Sequence, residues 1–192
     1  MSRGLRVTLV LVAIALFLCC VAGLGLTLLS TRLVGRAFIT APQRVHLVGS
    51  QIADYTVPPG YEEMFAMNFM GIKLVAIGPV APATDFMTIM MMQFPSGLEI
   101  SREEMERQVQ QALSRQIGLG SADMKAIGHQ EATIRGESVE LTISQGTTDS
   151  GEQLRQVTGL FQGDGGPAML IITGQEAAWD QEAADRFIAS IK

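Results

Sequence analysis

Soft thioether chemistry is the first possibility this sequence raises. Met64, Met67 and Met70 recur every third residue, and Met87, Met90, Met91 and Met92 follow shortly after; together they are seven of the chain's eleven methionines. Outside a thiol-rich compartment, thioether sulfur can select copper(I), so Met64, Met67 and Met70 are the copper candidates. Spacing has to be read on the element that carries it. On a regular strand, Met64 and Met67 point to opposite faces, as do Met67 and Met70, and three sulfurs cannot converge. Phe65, Phe69 and Gly71 favour the strand over a helix. The methionines are therefore expected to pack a core, a task for which an unbranched, adaptable side chain suits them.

Other chemistry is sparse. The two histidines, His46 and His129, lie far apart in sequence, and each reads as an ordinary surface or hydrogen-bonded residue. The segment from residue 51 onward has no cysteine and no histidine pair at ligand spacing, so no zinc site is expected. Gly163-Asp164-Gly165-Gly166 lies between two β-like runs, without the helix amino terminus that a phosphate cradle requires, and reads as a hairpin turn. No Asp/Asn pattern of a calcium loop occurs. No catalytic residue, cofactor or enzymatic activity is expected.

Charge and hydropathy give the organisation. Five of the 14 basic residues, and none of the 19 acidic ones, lie in the first fifty, which carry +5 while the remainder carries −10. An acidic domain argues against nucleic acid as a partner. Residues 7–29 (VTLVLVAIALFLCCVAGLGLTLL) contain no charge and are long enough to cross a bilayer core of roughly 30 Å. They exceed the apolar stretch of a cleaved signal peptide and predict an uncleaved, single-pass signal anchor. The expected layout is a basic tail (1–6), a transmembrane helix (7–29), a membrane-proximal neck (30–50) and a folded domain (51–192). A short basic tail, an apolar run and a sizeable domain form the usual export arrangement, so the domain is placed outside the cytoplasm. Ala15, Cys19, Gly23 and Thr27, four residues apart, make a small-residue stripe along which two copies could dimerise.

Within the domain, MFAMNF and IKLVAI flank Met70-Gly71 as a hairpin. FMTIMMMQF is apolar on both alternating faces and predicts a central strand covered on each side. Ser101-Arg102-Glu103-Glu104 is a capping box that opens a helix carrying Met105, Val109, Ala112, Leu113 and Ile117 on one face. Four further β-like runs, divided by Gly-rich turns, predict an antiparallel meander. A closing helix, EAAWDQEAADRFIASI, aligns Trp179, Ala183, Phe187 and Ile191. The expected fold class is α+β: an amino-terminal transmembrane helix, then an antiparallel sheet of six or seven strands flanked by two helices.

Tyr55-Thr56-Val57-Pro58-Pro59-Gly60-Tyr61, the apolar central strand followed by a capped helix, the turn at residues 163–166 and the closing Phe187-Ile188-Ala189-Ser190-Ile191 resemble the PsbP-like α/β/α sandwich over about residues 50 to 192. The features are architectural and carry no functional motif. The resemblance implies a non-enzymatic role in binding or assembly. The expected function is accordingly a membrane-anchored, extracytoplasmic binding or assembly module with a protein partner at the membrane. The alternative is a domain that binds an apolar ligand or copper(I) through its Met-rich strands.

Overall fold

The computed structural model describes residues 38–81, 86–96, 124–148 and 150–192. The chain divides into two units, Met1–Phe38 and Ile39–Lys192. The first lies outside the described residues apart from Phe38, so the expected membrane span 7–29 and its Ala15, Cys19, Gly23, Thr27 stripe do too. No described helix is long and apolar enough to cross a membrane.

The described residues are built on one eight-stranded sheet. Its strands are β1 (Phe38–Ile39), β2 (Tyr61–Phe69), β3 (Ile72–Pro79), β4 (Met87–Gln93), β5 (Lys125–Ile134), β6 (Glu137–Thr147), β7 (Gln153–Gly163) and β8 (Gly166–Gln175). Their spatial order is β1-β2-β3-β4-β8-β7-β6-β5, and the pairs from β2 to β5 are all antiparallel. Two short helices complete the described structure, α1 (Pro42–Gly49) and α2 (Gln181–Ser190). The expected α+β class, with a transmembrane helix and six or seven strands flanked by two helices, is therefore corrected. The fold is mainly one eight-stranded antiparallel sheet, and its two described helices are short. The capping-box helix expected from Ser101 lies outside the described residues.

Local chemistry explains each departure. The segment expected as a neck, 30–50, holds β1 and α1. Pro42 supplies the fixed φ of a first helical turn, and Val45 and Val48 are buried three residues apart while Leu47 between them is exposed, which is helical and not strand spacing. The closing helix is shorter than expected because Asp180 caps it: its carboxylate accepts from the backbone N–H of Ala183 at 2.9 Å. Glu176–Ala178 forms a separate 3₁₀ turn ahead of the cap. Trp179 thus leaves the helical stripe, and the Arg155 guanidinium stacks 4.8 Å from its ring centre.

Both described helices serve one face. Val45 and Val48 of α1 and Ala183, Ala184, Phe187 and Ile188 of α2 share a cluster with alternate residues of the strands, such as Ile77, Ile89, Met91, Leu170 and Ile172. The loop after α1 is tied to the carboxyl terminus by paired bonds between the backbones of Asp54 and Lys192, at 2.8 and 3.2 Å. The turn at residues 163–166 is a hairpin in which Gly163 pairs with Gly166. With its carboxamide oriented so that both ends find partners, Gln93, buried at the end of β4, donates to the Gln51 carbonyl (3.3 Å) and accepts from the N–H groups of Gly165 (2.7 Å) and Gly166 (3.3 Å). One carboxamide joins β4, the loop after α1 and the β7–β8 turn.

Candidate binding surface

The sheet's other face collects the methionines, and a β-bulge is the reason. Glu63 lies opposite Ile77 but Phe65 lies opposite Ala76, leaving Met64 as an extra residue in β2. The bulge sets Met64 over Gly78, its sulfur filling the space where a Gly78 side chain would stand. Gly78 alternates with core-facing Ile77, so Met64 shares the outer face with Phe65 and Met67. The expected opposition of Met64 and Met67 does not hold. Met70 is separate from both, in the β2–β3 turn.

Register extends this face across the sheet. Met67, Leu74, Met92, Met169 and Leu160 form one row, and Phe65, Ala76, Met90, Ile171 and Thr158 the next. Further along, the same face turns polar, with Thr142 and Ser144 on β6 and His129 on β5. Exposure is uneven as well. Met169 and Ile171 in the middle are buried, whereas Met67, Leu74, Met90 and Met92 are half-buried, and Met64 and Phe69 are 43% and 44% exposed. Ala76 is buried too, between Phe65 and Met90, so the face is open only in part; exposed apolar residues are common where a protein meets a partner, a ligand or a membrane.

The β2–β3 turn is a two-residue connection in which Met70 (φ 52°) and Gly71 (φ 84°) both adopt left-handed backbone. Glycine or asparagine meets that demand with less steric cost than methionine. Arg135, at φ 53° in the corresponding β5–β6 turn, gains an ion pair with Asp164 at 2.6 Å. Met70 is 81% exposed. Met70→Asn is expected to leave the fold intact and raise stability by about 0.5 kcal/mol, as read by denaturant unfolding; a loss of stability would show that the methionine supports the fold.

One polar cluster joins α1 to β2. Glu63 Oε1 accepts from His46 Nδ1 at 2.9 Å and also from the Tyr55 hydroxyl. The Tyr55 ring packs on Phe187 with centres 5.6 Å apart, and its hydroxyl sits against Gly49, where any Cβ would collide. His129 pairs with Glu140 at 3.1 Å. Both histidines thus lie against carboxylates, Glu63 on β2 and Glu140 on β6. Among the described residues, no three His, Cys, Asp or Glu side chains gather as a metal centre.

Burial foremost, then the hydrogen bond to Glu63 and that carboxylate's charge, hold the Tyr55 hydroxyl well above its ordinary pKa. Tyr61 is raised by burial and by Asp180. An unfolded tyrosine ionises near pH 10. The folded forms stay protonated to higher pH, so their stabilisation is complete below about pH 10 and is lost as pH rises beyond it. Stability is expected to fall on the alkaline side, less steeply in Tyr55→Phe; identical alkaline slopes in denaturant titrations would contradict the assignment.

Two open clefts of about 390 Å³ are lined by described residues, one by Thr133, Arg135 and Lys192 among others, the second by Lys125, Gln145 and Gln153 among others. Neither adjoins the Met-rich strands. Sequence reading missed the outer-face partners Phe65, Leu74 and Met169, because their grouping depends on a bulge and on the pairing of β4 with β8 across a long stretch of chain. No family model matches this sequence, and no curated protein is similar to it.

Proposed function

We propose that the protein is a non-catalytic binding or assembly module, held at a membrane by its apolar residues 7–29 with the folded domain outside the cytoplasm, and that it meets a protein partner through the outer face of β2–β4. The observation that carries this reading is the partly open surface formed by Met64, Phe65, Met67, Leu74, Met90 and Met92. Flexible thioether side chains adapt to a partner's shape, and tethering raises the effective concentration at a membrane-bound target. The resemblance to the PsbP-like sandwich points to the same class of role. The test is crosslinking of the full-length chain in its native membrane, followed by purification in mild detergent. A discrete partner is expected, lost in Phe65→Ser/Met67→Ser at unchanged chain abundance. Retention of that partner by the variant would reject this face as the contact.

A second reading, copper(I) binding, gains one observation, since the bulge places Met64 and Met67 on a common face. It requires that Met64→Leu/Met67→Leu abolish copper(I) binding by the intact chain; equal binding by both chains, or none by either, removes it.

A further inference from the structure

The β2–β3 hairpin tip has the features of a lipid-contacting element. Phe69 and Met70 are exposed at 44% and 81%, with Ile72 half-buried beside them, on a two-residue turn that has Pro95 next to Gly71. Residues 64–84 contain no acidic side chain and one lysine, Lys73, in a region from residue 51 onward that holds all 19 acidic residues of the chain. This is the stretch that an anionic headgroup layer repels least. β2 is also the neighbour of β1, where the described chain begins. Only eight residues, 30–37, separate β1 from the end of the apolar run, and fully extended they reach about 28 Å. The stretch of chain that joins the domain to the apolar run is therefore short.

We propose that the hairpin tip, with Phe69 and Met70 foremost, rests in the interfacial layer of the lipid bilayer and fixes the orientation of the domain on the membrane. This rests on the membrane-anchor reading above. Aromatic and apolar side chains partition favourably into that layer, whereas Lys73 lies on the opposite face of β3, its ammonium donating to the Gln51 carbonyl at 3.5 Å. A bilayer contact accounts for a methionine where the turn alone favours asparagine or glycine. It leaves the outer-face residues Phe65, Met67 and Met92, further back along the strands, to a protein partner.

The test uses the full-length chain carrying Cys19→Ser and Cys20→Ser, reconstituted in vesicles of phosphatidylcholine with a minority of phosphatidylglycerol. A nitroxide is attached in separate samples at Met70→Cys, at Leu16→Cys and at Glu131→Cys, and its collisions with oxygen and with a water-soluble nickel chelate are measured. The label at 70 is expected to favour oxygen severalfold more than the label at 131 and to approach the value at 16. An aqueous label at 70 with a lipid-embedded label at 16 overturns the hairpin contact and leaves the anchor standing. Aqueous labels at both positions overturn the anchor and the contact together. A label at 70 shielded from both reagents, or broadened by a second label, shows a protein or a second copy on the tip and overturns the lipid assignment.

Discussion

Phe187→Ala is expected to destabilise the protein by about 4 kcal/mol, the largest effect of any single truncation in the described core. Phe187 is fully buried, its ring packs against Tyr55, and Tyr55 in turn donates to the Glu63 carboxylate that also holds His46 of α1. Removing the ring opens a cavity where α2, α1 and the sheet meet, and the helices cannot collapse into it without breaking the Tyr55–Glu63 bond. The backbone ties around α2 resist such collapse as well: Thr56 donates to the Ser190 hydroxyl at 3.0 Å, and Arg135 to the Ile191 carbonyl at 3.3 Å. Chemical denaturation followed by Trp179 fluorescence measures the change. A loss below about 1 kcal/mol would mean that the ring is not a tightly packed core element.

Gln93→Leu is expected to cost about 3 kcal/mol, through polar satisfaction and not through volume. The leucine fills much the same space, but it leaves the Gly165 and Gly166 N–H groups without the acceptor they share, while the Gln51 carbonyl keeps the Lys73 ammonium at 3.5 Å. Each buried polar group left unsatisfied costs roughly 1–3 kcal/mol. The glycines cannot readily move away: a Cβ on Gly163 or Gly165 would press on the Gln93 carboxamide, and Gly166 (φ 143°) lies against the backbone at Phe94 and Ser96. Gln93→Glu would place a charge at the same site and is expected to be at least as damaging. Near-native stability in Gln93→Leu would show that water replaces the carboxamide.

The turns were legible in the sequence because their chemistry is local. Met70-Gly71, Arg135-Gly136 and residues 163–166 each bring a glycine to a place where the chain must reverse. Asp180 as a cap was equally local, yet it was overlooked within an apparently continuous helical stripe. What failed was whatever depends on long-range pairing. A two-residue strand such as β1 has no periodicity to read, and an eight-residue helix such as α1 buries only two apolar side chains, Val45 and Val48, too few to make a stripe. Of the two covering layers that the apolar faces of β4 suggest, α1 and α2 supply one, and the helix expected from Ser101 lies outside the described residues. The opposition of Met64 and Met67 followed from a regular strand; one extra residue reversed it, and no feature of the sequence around Glu63 announces a bulge. The outer face as a surface becomes visible only once β8 is placed beside β4.

The most direct measurement is site-specific photo-crosslinking of the full-length protein in its native membrane, with a photoreactive side chain at Met67, at Met92 or at Glu131. If the outer face of β2–β4 receives the partner, positions 67 and 92 give one common adduct of defined mass, and position 131, on the polar part of the same face, gives none. An adduct formed equally at all three positions, or at 131 alone, would contradict the assignment of function to the methionine-rich surface.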